Sequence, residues 1–135
     1  MRTSAICLYV ASVITLGAQS KSSQIEYGRY LAEEVAKCVE CHTPTTETGE
    51  LDRSKLLKGK VLEYQPIQPI KDWHKTSPDL TPSGRLWLKW GEGAMLKYLQ
   101  TGLTPSGKLA GPPMPAYKLK PADAEAILEY LKSLK

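Results

Sequence analysis

A chain of 135 residues has room for one domain with a modest core. Phe is absent and aromatic residues make up only 7%, so the usual large core fillers are scarce. The net charge of +4 is mild and dispersed, without the basic run or basic helix that a nucleic-acid-binding surface needs.

The N-terminus reads as an export signal. Arg2 supplies the positive region, Ser4 to Ala18 is the apolar stretch, and Ala18 with Ser20 gives a small-residue cleavage pattern before Lys21. A cleaved signal peptide over residues 1–20 and a domain over residues 21–135 are therefore expected. The protein would then be periplasmic or otherwise exported, or membrane-anchored if the leader stays on. The stretch is short for a membrane span and rich in Ser and Thr. Removing it takes away Arg2 and Cys7, which lowers the charge to +3 and leaves two cysteines, Cys38 and Cys41. Two thiols three positions apart do not make a disulfide scaffold, which needs several spread bridges.

Three helices follow in chain order. Ser23 and Glu26 in SQIE have capping-box spacing and predict a helix start. Behind them Tyr27, Leu31, Val35 and Cys38 form one apolar stripe, which would bring Cys38 to the buried side of the helix end. Residues 43 to 86 are rich in Pro, Gly and Thr and predict a long wrapping loop, with a short helical turn at Arg53 to Leu57. So much irregular chain suits a loop that packs around something. A second helix is expected from Glu92 to Gln100, with Leu96 and Leu99 inward and Gly102 just past its end. The stretch LTPSGKLAGPPMPAY excludes helix and favours a fixed extended path. The last helix starts at Pro121, with Asp123 and Glu125 near its positive end. Ala124, Ile127, Leu128, Leu131 and Leu134 would be its buried face. No internal repeat or second domain is visible.

The chemistry concentrates in CVECH, Cys38 to His42. C-x-x-C-H is the attachment pattern of c-type haem. Two cysteines one helical turn apart can each add across a haem vinyl group, and the adjacent His42 can face the iron. Zinc would need four ligands, and only Cys38, Cys41, His42 and His74 remain beyond the leader. A thioredoxin-like pair would need a βαβ context, and a plain local disulfide is the remaining alternative. The candidates for the second axial position are Met95, Met114 and His74. Met95 falls at helical spacing beside Leu96, as core methionines do. Met114 lies in GPPMPAY between Pro113 and Pro115, where a stiff backbone can hold a thioether as a soft iron ligand. His74, in KDWHK, reads as a loop-surface histidine, with bis-His ligation the alternative.

At these residues the chain resembles a class I cytochrome c. More narrowly, it is similar to cytochrome c subunits and domains associated with bacterial membrane-bound alcohol, aldehyde and gluconate dehydrogenases. The likeness runs through GRYLAEEVAKCVECHTP, SPDLTP, WGEGAMLKYL, LQTGLTPSGKLAGPPMPAY and AEAILEYLKSL. It implies an all-α cytochrome c fold, three or more helices with long loops around one covalently attached haem c. It also implies Cys38 and Cys41 as the thioether residues, with His42 and Met114 as the axial metal ligands. Trp90 would hydrogen-bond a haem propionate, and Trp87 and Tyr117 would pack on the ring. Two departures stand out. Such subunits often carry several haem motifs and this chain has one, and the family tryptophan is commonly followed by Ser or Thr and two acids where this chain has WGEGA.

His/Met ligation closes both axial positions and raises the iron's potential. The function expected is outer-sphere electron transfer, with a dehydrogenase as donor and an oxidase or another cytochrome as acceptor. The chain would be no enzyme itself, but a monomer or a small subunit of an oxidoreductase complex. Lys58, Lys60, Lys108 and Lys118 are candidate docking residues. The alternative is a haem enzyme or gas-binding sensor with an open or displaceable sixth iron site.

Overall fold

A computed structural model describes residues 20–135. The expected leader, apart from Ser20, lies outside them. Ser20 caps the first helix, α1 (Lys21–Tyr30), by accepting from the Ser23 backbone N–H. The cap therefore sits three residues before the expected Ser23, and Glu26 pairs with Arg29 instead of closing a capping box. After Tyr30 the helix widens into a π turn over Leu31–Val35. Lys37, at φ 54°, then breaks it, so that Cys38–His42 forms a separate short helix, α2.

This break corrects the expected apolar stripe. Tyr27 and Val35 are exposed, whereas Gly28, Ala32 and Glu33 are the buried positions. The reason is close helix packing. A Cβ on Gly28 would overlap the Ala126 carbonyl of the last helix, α4 (Pro121–Ser133), and press on Tyr130 Cβ. The crossing of α1 and α4 is the principal helix contact, and small side chains allow it. The widened turn then shifts every later residue around the axis.

The third helix, α3 (Arg85–Thr101), starts seven residues before the expected Glu92 and is kinked at Gly91 (φ 72°, ψ 171°). Only glycine adopts that backbone without strain, and the straight second part matches the expected span. Gly102 ends the helix in the left-handed conformation, as its position predicts. Leu99 is buried and Leu96 half-buried. α4 begins at Pro121 as expected and buries Ala124, Ile127, Leu128 and Leu131. Leu57, Leu80, Trp87, Met95 and Leu99 complete the core against it.

Residues 43 to 84 hold a 3-10 turn at Arg53–Lys55 and two short strands, β1 (Lys60–Val61) and β2 (Thr76–Ser77). The strands pair antiparallel, Lys60 opposite Ser77 and Val61 opposite Thr76. Everything else of regular structure among the described residues is helical.

Candidate functional site

A five-residue helix does not hold itself together in water, because so few turns cannot offset nucleation. The long loop supplies what α2 lacks. Gly59 donates its backbone N–H to the His42 carbonyl (2.7 Å), and the Ser77 hydroxyl donates to the Cys41 carbonyl. These groups satisfy carbonyls that the helix end leaves free. Thr43, fully buried, accepts from the Leu57 N–H at 3.0 Å, and Leu80 N–H donates to the Leu57 carbonyl. The wrapping loop is thus the clamp that fixes CVECH.

His42 is buried and its Nδ1 lies 2.8 Å from the Pro78 carbonyl. A carbonyl only accepts, so Nδ1 carries the proton and Nε2 keeps its lone pair. Burial lowers the imidazole pKa against the opposing pull of Pro78, which keeps the ring neutral and able to bind a metal. Both thiols are free, and burial pushes Cys38 up to about 11, so it is protonated at neutral pH. The Cys41 Sγ lies 3.4 Å from the Tyr64 hydroxyl.

Cys38, Cys41 and His42 open onto one apolar cavity of about 440 Å³. Met114 and Trp90 also line it, so all five residues singled out for cofactor binding meet at one space. Met114 is held on both sides. His74 donates its backbone N–H to the Pro112 carbonyl (2.8 Å), and the Tyr98 hydroxyl donates to the Pro115 carbonyl (3.3 Å). Met95 is buried in the core as expected and also reaches the cavity wall. His74 is exposed, as its loop position predicts, yet it too lines the cavity, with its ring against Gly111.

Trp90 is half-buried, with its ring 5.6 Å from that of Tyr98. Trp87 differs from expectation: it is buried in the core and is not part of the cavity wall. It lies three residues before Trp90, on the first limb of the kinked helix. Tyr117 lines the cavity and donates its hydroxyl to the Ala36 carbonyl at 2.6 Å. Pro78, Tyr64 and Tyr98 escape a reading by residue type, because a backbone acceptor and two loop or helix tyrosines carry no spacing signal. Among the described residues no group of three or more His, Cys, Asp and Glu side chains is arranged to hold a metal ion by itself. An apolar cavity with two thiols, one neutral imidazole and one thioether on its walls fits haem c.

The sequence profile of the cytochrome c family matches residues 25–135. This chain belongs to the cytochrome c family. Covalent haem c is that family's prosthetic group, and the cytochrome c fold agrees with the helical architecture described above. The cytochrome is 36% identical to a diheme cytochrome c-type protein of Cereibacter sphaeroides, over 79% of this chain and 34% of that one. It is 34% identical to the fructose dehydrogenase cytochrome subunit of Gluconobacter japonicus, over 79% of this chain and 21% of that protein. It is 31% identical to a nicotinate dehydrogenase subunit of Pseudomonas putida, over 84% of this chain and 9% of that protein. The chain therefore spans about a third or less of the length of these curated relatives. Among the described residues no helix of the cytochrome is long and apolar enough to cross a membrane.

Proposed function

We propose that this cytochrome is an exported, single-haem electron carrier that serves a dehydrogenase. The observation that carries the reading is the meeting of Cys38, Cys41, His42 and Met114 at one apolar cavity. Cys38 and Cys41 would hold haem c through thioethers, and His42 Nε2 and the Met114 sulfur would bind its iron. Haem iron held in this way supplies a one-electron couple at raised potential. The Pro78 carbonyl, by accepting from His42 Nδ1–H, fixes the ring and makes Nε2 more basic. The anchored prolines around Met114 hold a weak ligand that the thioether alone would not secure. Ile127, Leu131 and Leu99 give the cavity an apolar wall, which would keep reorganisation small when the charge of a bound haem changes. Trp90 would offer its indole N–H to a haem carboxylate. One C-x-x-C-H in the sequence supports one haem, although the Cereibacter relative is diheme.

Dehydrogenase subunits among the relatives support a dehydrogenase as donor, with an oxidase or further cytochrome as acceptor. With both axial positions taken, the cytochrome would transfer electrons at the haem edge and have no substrate site of its own. Spectroscopy of the holoprotein tests this. A methionine-to-ferric-iron charge-transfer band and a slow, slight response to CO are expected. Met114→Ala should abolish the band and admit CO rapidly. Met95→Ala should keep the band and cost only packing, about 2–5 kcal/mol. Rapid CO binding by the unaltered protein, or loss of the band in Met95→Ala alone, would overturn the assignment.

A further inference from the structure

The loop that joins β1 to β2 has a composition that the fold does not use. Val61, Tyr64, Ile67 and Ile70 recur at intervals of three and are 68%, 46%, 99% and 47% exposed. Single exposed apolar side chains are ordinary, but four within ten residues of one loop are a local concentration. The base of the loop is fixed. Leu62 N–H donates to the Lys75 carbonyl, the Thr45 hydroxyl donates to Glu63, and Tyr64 meets Trp73 edge-on at 5.9 Å. Its tip, residues 65 to 71, makes no hydrogen bond to the other described residues. Pro66 and Pro69 restrict the backbone there, which lowers the entropy lost on binding.

Charge narrows the occupant. Lys58, Lys60, Lys71 and Lys75 flank the patch, and none forms an ion pair among the described residues. The acids nearby are Glu63, which is bonded to Thr45, Asp72, and Glu40, whose charge reaches Tyr64, against four lysines. An apolar ridge bordered by unpaired lysines complements a protein surface with an apolar centre and an acidic rim. A membrane surface fits less well. The loop's tryptophan, the residue best suited to a lipid interface, turns its indole nitrogen inward, where Trp73 Nε1 is buried.

Tyr64 gives the patch a direction. Its ring belongs to the exposed ridge while its hydroxyl lies 3.4 Å from Cys41 Sγ. A partner seated on Tyr64 is thus one side chain from the sulfur that would carry the haem. We infer that the ridge from Val61 to Ile70 is the docking surface for an acidic-rimmed redox protein. This rests on the electron-carrier reading and adds to it the place where the partner binds. Transient electron-transfer contacts bury less than about 1,200 Å², within reach of one such loop.

The test places photoreactive benzoylphenylalanine at Ile67 of the holoprotein in the cell that makes it, with Leu88 as an exposed apolar control. The adduct is identified by mass spectrometry, and the captured protein is purified and mixed with the cytochrome. A redox protein captured from position 67 and not from 88 is expected. The pair Ile67→Asp and Ile70→Asp should slow electron exchange with it at least tenfold. The haem spectrum and the rate of reduction by dithionite should stay unchanged in that variant. Adducts only with lipid, only with a second copy of the chain, or none at all would overturn the inference, as would an unchanged exchange rate. Rapid CO binding by the unaltered holoprotein would instead refute the carrier reading, so the two failures are distinguishable.

Discussion

Glu33, in the π turn that follows α1, is 4% exposed, yet its carboxyl is held below the usual carboxylate range. Burial alone would raise it, but hydrogen bonds from the Tyr130 hydroxyl and the Arg53 guanidinium together outweigh burial. A carboxylate whose folded pKa is depressed stabilises the fold above its unfolded pKa, near 4.5. That contribution fades as pH falls through the lower folded value. Tyr130→Phe should therefore cost about 1.5–3 kcal/mol at pH 7, the range for a hydrogen bond to a charged group. The difference from the unaltered protein should shrink in acid. Denaturant titrations of both holoproteins at pH 7 and in the acid limb check it, and a pH-independent difference would mean that only packing was lost. Nothing in the sequence around Glu33 announces this role, because its partners lie 20 and 97 residues away.

At the scale of elements, two glycines decide where helices meet and bend. Gly28→Ala forces a methyl group into the Ala126 carbonyl, so α1 and α4 must separate. Gly91→Ala meets no neighbour, but puts alanine at φ 72° and ψ 171°. Each should lower stability by about 1–3 kcal/mol, the first by overpacking and the second by backbone strain. Circular dichroism melts of the holoproteins measure both. Amide exchange separates them, since Gly28→Ala should loosen α1 and α4, and Gly91→Ala the first limb of α3. CVECH, the proline-bound methionine loop, Gly102 and Pro121 are legible in sequence because their chemistry is local: ligand type, fixed φ or a cap. The stripe misleads at Tyr27 because Gly28 is the residue that meets α4, and at Val35 because a π turn alters the period that such a reading assumes constant. WGEGA departs from the family pattern at the very place where Gly91 bends the helix.

For the whole molecule, the cavity at the site is also part of the core. Met95, Leu99, Ile127 and Leu131 belong to the buried cluster and to the cavity wall alike. Unfilled, about 440 Å³ lined this way would cost on the order of 10 kcal/mol at ~24 cal/mol per Å³, an upper bound because water can enter part of it. Domains of this size are stable by only about 5–15 kcal/mol. The long loop depends on the same centre, since it is tied to α2 through the Cys41 and His42 carbonyls. Folding and haem attachment should therefore be one event. Cys38→Ala combined with Cys41→Ala should give a chain with little helix by circular dichroism and rapid proteolysis within residues 43 to 84. Adding haemin to that chain should recover part of the helix, because His42, Met114 and the apolar wall remain. A helical, protease-resistant double variant without haemin would show that the polypeptide core suffices alone, and that the cavity is a binding site the fold does not need.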